Sequence, residues 1–158
     1  MLGFPPSSFD PQNPDFEERV RSSFNRQRVM QTIGARMTTV APGAVDIELA
    51  YRADLTQQHG FLHAGIVTTI VDSACGYAAF SLMPADATVL SVEYKVNFVA
   101  PAAGALFVAR GRVVKPGRTL TVCEGVVVTL HNGVEQLIVT MLATMIMLRD
   151  RADEASSE

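Results

Sequence analysis

The sequence has no tryptophan, two cysteines, three histidines and only 18% charged residues in its 158 positions. Each scarcity excludes something. Two cysteines, Cys75 in a long apolar run and Cys123 in a strand-like one, cannot form a disulfide framework and fit reduced thiols packed in a core. Beside a hydrophobic content of 48%, the shortage of charge leaves few residues to cover a monomer, so a homo-oligomer is expected. The net charge of −3 gives no basic footprint for nucleic acid. Residues 1–14, MLGFPPSSFDPQNP, lack the basic start and apolar run of a signal peptide, and a cytoplasmic protein is expected. No Gly-x-Ser-x-Gly elbow occurs, which argues against nucleophilic serine chemistry on an α/β sheet. No internal repeat is apparent, and the length suits one domain.

What is present centres on residues 57–83, QQHGFLHAGIVTTIVDSACGYAAFSLM. Between positions 55 and 85 the sole charged residue is Asp72, in a run where a carboxylate adds no stability unless it is paired. As a helix, 63–83 is apolar nearly all round, with Ile66, Val67, Ile70, Val71, Ala74, Cys75, Tyr77, Ala78 and Phe80 leaving no polar stripe. Thr68, Thr69, Asp72, Ser73 and Gly76 interrupt it and no basic flanks adjoin it, so it reads as a core helix rather than a membrane span. Its small residues, among them Gly65, Ala74 and Gly76, allow strands to come close. A sheet wrapped around this helix is expected.

Residues 1–12 read as an irregular arm with Phe4 and Phe9 as anchors. Asn13-Pro14-Asp15 is a helix start, and Phe16, Val20, Phe24, Met30 and Ile33 define one amphipathic packing helix stopped by Gly34. Its Arg19, Arg21, Arg26 and Arg28 read as a solvated face. Beyond it the period changes to alternation. Strands are expected at 37–40 and 45–51, then at 90–98, 106–115, 119–131 and 134–148, with Pro42-Gly43, Pro101, Pro116-Gly117 and Asn132-Gly133 as turns. The last four strands suggest an antiparallel meander, and the acidic tail 150–158 is expected to be disordered. One buried helix between a strand pair and a long meander is an α+β layout, the hotdog fold, over a single domain at 13–149.

The order Gln57, Gly60, His63-Ala64-Gly65 and then Asp72, nine residues after the histidine, resembles the active-site signature of PaaI-like (phenylacetate-pathway type) acyl-CoA thioesterases of the hotdog superfamily. In that family an Asn or Gln precedes a Gly and a His-Gly-Gly turn, and an acid lies about two turns into the central helix. Residues 91–102, SVEYKVNFVAPA, look like the family's strand after the helix, Ser91 and the closing Pro included. Ala64 departs from the usual Gly and Gln57 from the frequent Asn. A backbone N–H donor at 64 therefore requires a negative φ there. The resemblance implies an acyl-CoA substrate, no cofactor, and a dimer or dimer of dimers.

Thioester hydrolysis needs a group that attacks the carbonyl or activates water, and fixed donors for the developing oxyanion. A buried helix start offers free N–H groups, making Ala64 and Gly65 donor candidates. Asp72 is the candidate nucleophile or general base, Gln57 orients water or the leaving sulfur, His63 braces the turn, and Gly60 belongs to the same turn. Asp72 lies eight residues beyond Ala64, about 12 Å along a helix, so one chain does not complete the site. A two-fold dimer with antiparallel central helices would do so. Arg110, Arg112, Lys115 and Arg118 are candidates for coenzyme A phosphates. His59, His63 and Asp72 invite a metal reading, but Gly60 and the apolar context favour a turn. Two further readings stay open: a hotdog enoyl-CoA hydratase or dehydratase, and a non-catalytic acyl-CoA-binding protein.

Overall fold

In the computed structural model, residues 9–131 and 133–150 are described. The expectations for Phe4 and for the tail beyond 150 lie outside these residues. The central helix, α3, spans Ala64–Phe80. It stops at Ser81, whose Oγ donates to the Ala78 carbonyl (2.7 Å) and accepts the Gly43 N–H (2.8 Å). Before α3 come α1 (Phe16–Arg26) and α2 (Arg28–Ile33), then β1 (Arg36–Ala41), β2 (Ala44–Ala50) and a short 3-10 turn at Ala53–Leu55. After it come β3 (Ala87–Phe98), β4 (Leu106–Lys115), β5 (Leu120–His131) and β6 (Val134–Arg149). All pairings are antiparallel, and the six strands are ordered β1-β2-β4-β5-β6-β3.

The antiparallel sheet around one helix is as expected, but the strand order corrects the simple meander. β4, β5 and β6 are joined by hairpins, whereas β3 crosses to the far edge beside β6 and β2 takes the place next to β4. Inward alternation holds on β2, where Val45, Ile47 and Leu49 are fully buried. It fails on β3. A bulge between Ser91 and Glu93 inserts one residue and flips the parity, so that Ser91, opposite Met145, is turned to α3.

The sheet reaches α3 through two glycines that the sequence did not single out. A Cβ at Gly111 would stand 2.2 Å from the Ala74 carbonyl carbon, and one at Gly125 would stand 2.5 Å from a Val71 methyl group. Close approach thus depends on the missing side chains of the strands, more than on small residues of the helix. Against this side of the helix Val67, Ile70, Val71, Ala74 and Cys75 are fully buried. The opposite side differs from the all-round apolar expectation: Thr68, Thr69, Asp72, Ser73 and Gly76 form a half-exposed stripe at helical spacing.

The expected single N-terminal helix is two helices, broken at Gln27 with ψ of 99°. From Phe24 to Met30 is six residues, about 240° past a full turn, so an unbroken helix would point Met30 away from the core. The break returns Met30 and Ile33 to it, at 1% and 3% exposure. α1 begins at Phe16 rather than at Pro14, because Asn13 Oδ1 accepts the Asp15 N–H (3.1 Å) in a turn of its own. Arg19 is not a solvated residue: it lies 4.0 Å over the Phe80 ring and donates to the carbonyls of Met83, Pro84 and Ala87. Phe9 packs on the core beside Gly43, as an anchor should.

Candidate active site

The turn before α3 is built from its own backbone. Gln57 N–H donates to Phe61 O (2.9 Å), Gly60 N–H donates to Gln57 O (3.0 Å), and the Thr56–Leu62 bridge closes the loop. Gly60 adopts φ of 83°, where a side chain would be strained, and the Tyr51 hydroxyl donates to its carbonyl at 3.1 Å. Gln57 Oε1 accepts the His59 N–H. This leaves the Gln57 Nε2 without a partner among the described residues and available as a donor.

His63 is the N-cap of α3, and its Nδ1 accepts the Gly65 N–H at 2.9 Å. Its own N–H donates to Leu55 O (2.9 Å). His63 is thus bonded within the turn on both its ring and its backbone, and the Gly65 N–H is already used. Ala64 is left as the donor candidate of the pair. As the first residue of α3 it has no acceptor a turn earlier, and its N–H has no partner among the described residues. Asp150 is the sole non-glycine residue with positive φ among them, so Ala64 meets the negative-φ condition.

Asp72 sits on the half-exposed stripe of α3. Ser91 Oγ donates to its Oδ1 at 2.8 Å and also lies 3.5 Å from the Met145 sulfur. Burial pushes the Asp72 carboxyl above its ordinary range and the Ser91 hydrogen bond partly offsets this. No cation pairs with it among the described residues. Such a carboxylate is poorly solvated, polarised on one oxygen and open on the other, a suitable state for a base or nucleophile.

Gln57 and Ala64 face a groove of about 420 Å³, walled by Phe61, Phe98, Val99 and Pro101. Phe61 was not foreseen as part of the site; an exposed aromatic beside the glycine turn was the available signal. Of the residues whose type suits an acyl pocket, Tyr77, Phe80, Leu82 and Met83 are core, at 6% exposure or less. Tyr94 and Phe98 remain open, at 44% and 42%. Within one chain Asp72 and the Ala64 turn stay apart on the helix, as the sequence spacing requires.

The four candidate phosphate-binding cations do not gather. Arg110 and Arg112 lie on the face of β4 away from α3, flanking Gly111, and are engaged: Arg110 with Glu135 at 2.5 Å and Arg112 with Asp46 at 2.6 Å. Lys115 and Arg118 are exposed at the end of the same hairpin. Among the described residues no three of His, Cys, Asp and Glu come together as metal ligands, and no described helix is long and apolar enough to cross a membrane.

An antiparallel sheet curled on a helix that begins in a His-capped turn and carries a half-exposed acid is the architecture of a hotdog thioesterase. Residues 59–136 match the family model for the thioesterase superfamily. A crystal structure of a thioesterase family protein from Silicibacter pomeroyi is 56% identical, with a TM-score of 0.83, covering 85% of this chain and 98% of that one. A Halobacterium salinarum protein provisionally named an esterase is 30% identical over 115 residues, 70% of this chain and 76% of its own length. The PaaI protein of the E. coli phenylacetic acid degradation operon shares the fold, with a TM-score of 0.78 at 13% identity over 87% of this chain and 96% of its own. The chain belongs to the thioesterase superfamily and has the hotdog fold.

Proposed function

We propose that the protein hydrolyses acyl-CoA thioesters to the free acid and coenzyme A, at sites shared between two chains. The observation that carries this is Asp72: an acid with one hydroxyl donor and, among the described residues, no counter-charge, held on the half-exposed stripe of the helix whose first N–H has no partner among those residues. The carbonyl oxygen accepts from the Ala64 N–H of one subunit, and Asp72 of the other either takes a proton from the attacking water or attacks the carbonyl carbon itself. The tetrahedral intermediate then expels the thiolate, which is protonated to coenzyme A, and Gln57 Nε2 steadies the water or the departing sulfur. Where Asp72 itself attacks, water then hydrolyses the acyl–Asp72 anhydride left by thiolate departure to give the free acid and restore Asp72. Ser91 holds Asp72 in register. Supporting the two-fold pairing, β3 is an edge strand, bonded to β6 on one side and to no other described strand, with Leu90 and Val92 on it each 53% exposed and Val99 just beyond it 56% exposed.

The role of His63 weighs against the hydratase reading, because its Nδ1 is committed to the Gly65 N–H rather than facing the groove. Loss of conjugated absorbance on incubation with an enoyl-CoA would reverse that preference. Tight acyl-CoA binding without turnover would favour a binding protein.

The test uses free-thiol release from aryl- and fatty-acyl-CoA thioesters with two variants. Asp72→Asn is expected to lower turnover by about 10²–10⁴-fold while the fold and oligomer persist. Ala64→Pro removes the donor and little else: proline is favoured at the first helical position, and His63, at φ of −61° and ψ of 137°, already has the backbone a following proline demands. Its turnover should fall by about 10²–10³-fold with unchanged melting temperature. Full activity in either folded variant would remove the assigned role.

A further inference from the structure

Among the described glycines, Gly76 stands apart. Each of the others either adopts a φ between 72° and 153° or has an atom within 3.1 Å of where a Cβ would sit, so turn geometry or close packing accounts for it. Gly76 has neither: it lies in the interior of α3, and a Cβ there would meet nothing within 4 Å. Only proline forms helix less readily than glycine, so α3 carries a weak position that no contact within the chain requires. The space left by the missing side chain is open to something outside the chain.

That space adjoins the candidate chemistry. Gly76 follows Asp72 by one helical turn on the same half-exposed stripe, about 6 Å farther along α3. In the two-fold pairing proposed above, Asp72 meets the partner subunit's Ala64. Antiparallel helices then bring Gly76, four residues on, towards the partner subunit's Gly60 and the partner subunit's Phe61, which precede that Ala64 by four and three residues. Phe61 walls the groove that holds Gln57 and Ala64, and Gln57 carries the sole polar side chain among the residues lining it. A pantetheine arm, with two amides and a hydroxyl, would find few partners there, whereas a hydrocarbon acyl group needs none.

We infer that Gly76 is a specificity-determining residue: the space over it receives the acyl group beside Asp72, and the missing side chain sets how wide that group can be. The acyl group then lies between α3 of one subunit and the Phe61 wall of the other. The inference rests on the thioesterase reading above and on its shared sites, and it names the feature of the acyl-CoA that those sites select. Acyl groups that are branched or cyclic next to the carbonyl depend most on this space, and straight chains least.

The experiment compares Gly76→Ala and Gly76→Val with the wild type on two wide esters, isobutyryl- and benzoyl-CoA, and two narrow ones, acetyl- and octanoyl-CoA, with subunit association followed by sedimentation. In Gly76→Val the ratio of kcat/KM for the wide esters to that for the narrow ones is expected to fall about tenfold or more, and in Gly76→Ala by less, with the dimer kept. A ratio that stays at the wild-type value in both variants overturns the inference. So does a monomeric wild type, or loss of the dimer in both variants, which would assign the glycine to subunit contact. If the valine variant alone dissociates, the alanine ratio decides. Calorimetric titration with the same esters separates this inference from the reading beneath it. A wild type that binds the wide esters without hydrolysing them, with that binding selectively weakened in Gly76→Val, rejects the thioesterase reading and leaves the acyl site standing. A wild type that binds none of the four overturns both.

Discussion

At the scale of single residues, the Asp72–Ser91 pair sets how the protein responds to pH. Burial raises the Asp72 carboxyl and the hydroxyl of Ser91 lowers it, so the folded state holds its proton more tightly than the unfolded chain. Between the unfolded and folded values the native state binds more protons, and stability therefore falls as pH rises through that window. Asp72→Asn, which keeps an acceptor for Ser91, is expected to melt at or above the wild-type temperature at pH 7, with the gain vanishing in acid; differential scanning calorimetry across pH reads this directly. Activity by the proposed mechanism is expected to run the other way, since Asp72 must then be ionised. Ser91→Ala removes the group that favours the charged form and should move the acid limb of the kcat profile to higher pH. Asp72 was legible in the sequence because a carboxylate in an apolar run demands a reason. The capture of the Gly65 N–H by His63 was not, because the sequence shows a turn and its residue types but not which lone pair the ring directs at which donor.

The contacts between elements were read less fully. Alternation located every strand of the sheet, and Asn132-Gly133 marked the β5–β6 hairpin, because local turn chemistry decides local connections. The position of β3 at the far edge is a decision of the long link 99–105, which carries no register signal, and the bulge that aims Ser91 at Asp72 left no mark in a run of alternating residues. The break at Gln27 was recoverable from spacing, since Phe24 and Met30 cannot share one helical face. Gly111 and Gly125 decide how near α3 lies to β4 and β5. Gly111→Ala meets helix backbone rather than a movable side chain, so it should destabilise the protein by about 3 kcal/mol or more in denaturant titration. A Gly76→Ala control, with nothing within 4 Å of the added carbon in the chain, should be tolerated by the fold of the single subunit.

For the molecule as a whole, the separation of Asp72 from Ala64 makes subunit sharing testable by complementation. If each site takes its acid from one chain and its donor from the other, Asp72→Asn and Ala64→Pro subunits are each inactive alone, but a mixed dimer contains one intact pair. Statistical exchange should then restore about a quarter of wild-type turnover, half of the dimers being mixed and each carrying one working site. Sites confined to single chains would restore nothing. The composition had already pointed to association, and the exposed edge of β3 gives that pressure a location.

Burial of the two cysteines has a consequence for the chemistry of the product. Cys75 and Cys123 are both fully buried, and burial drives the Cys75 thiol far above its normal range and the Cys123 thiol up to about 12. The proposed reaction would liberate a nucleophilic mercaptan beside a protein that presents no thiolate of its own among the described residues. Coenzyme A released in that proposed reaction, or its oxidised dimer, would therefore find no protein sulfur with which to exchange. The protein would then be chemically inert toward the proposed product, and a thiol-reactive dye added to the native protein during turnover should report the product alone.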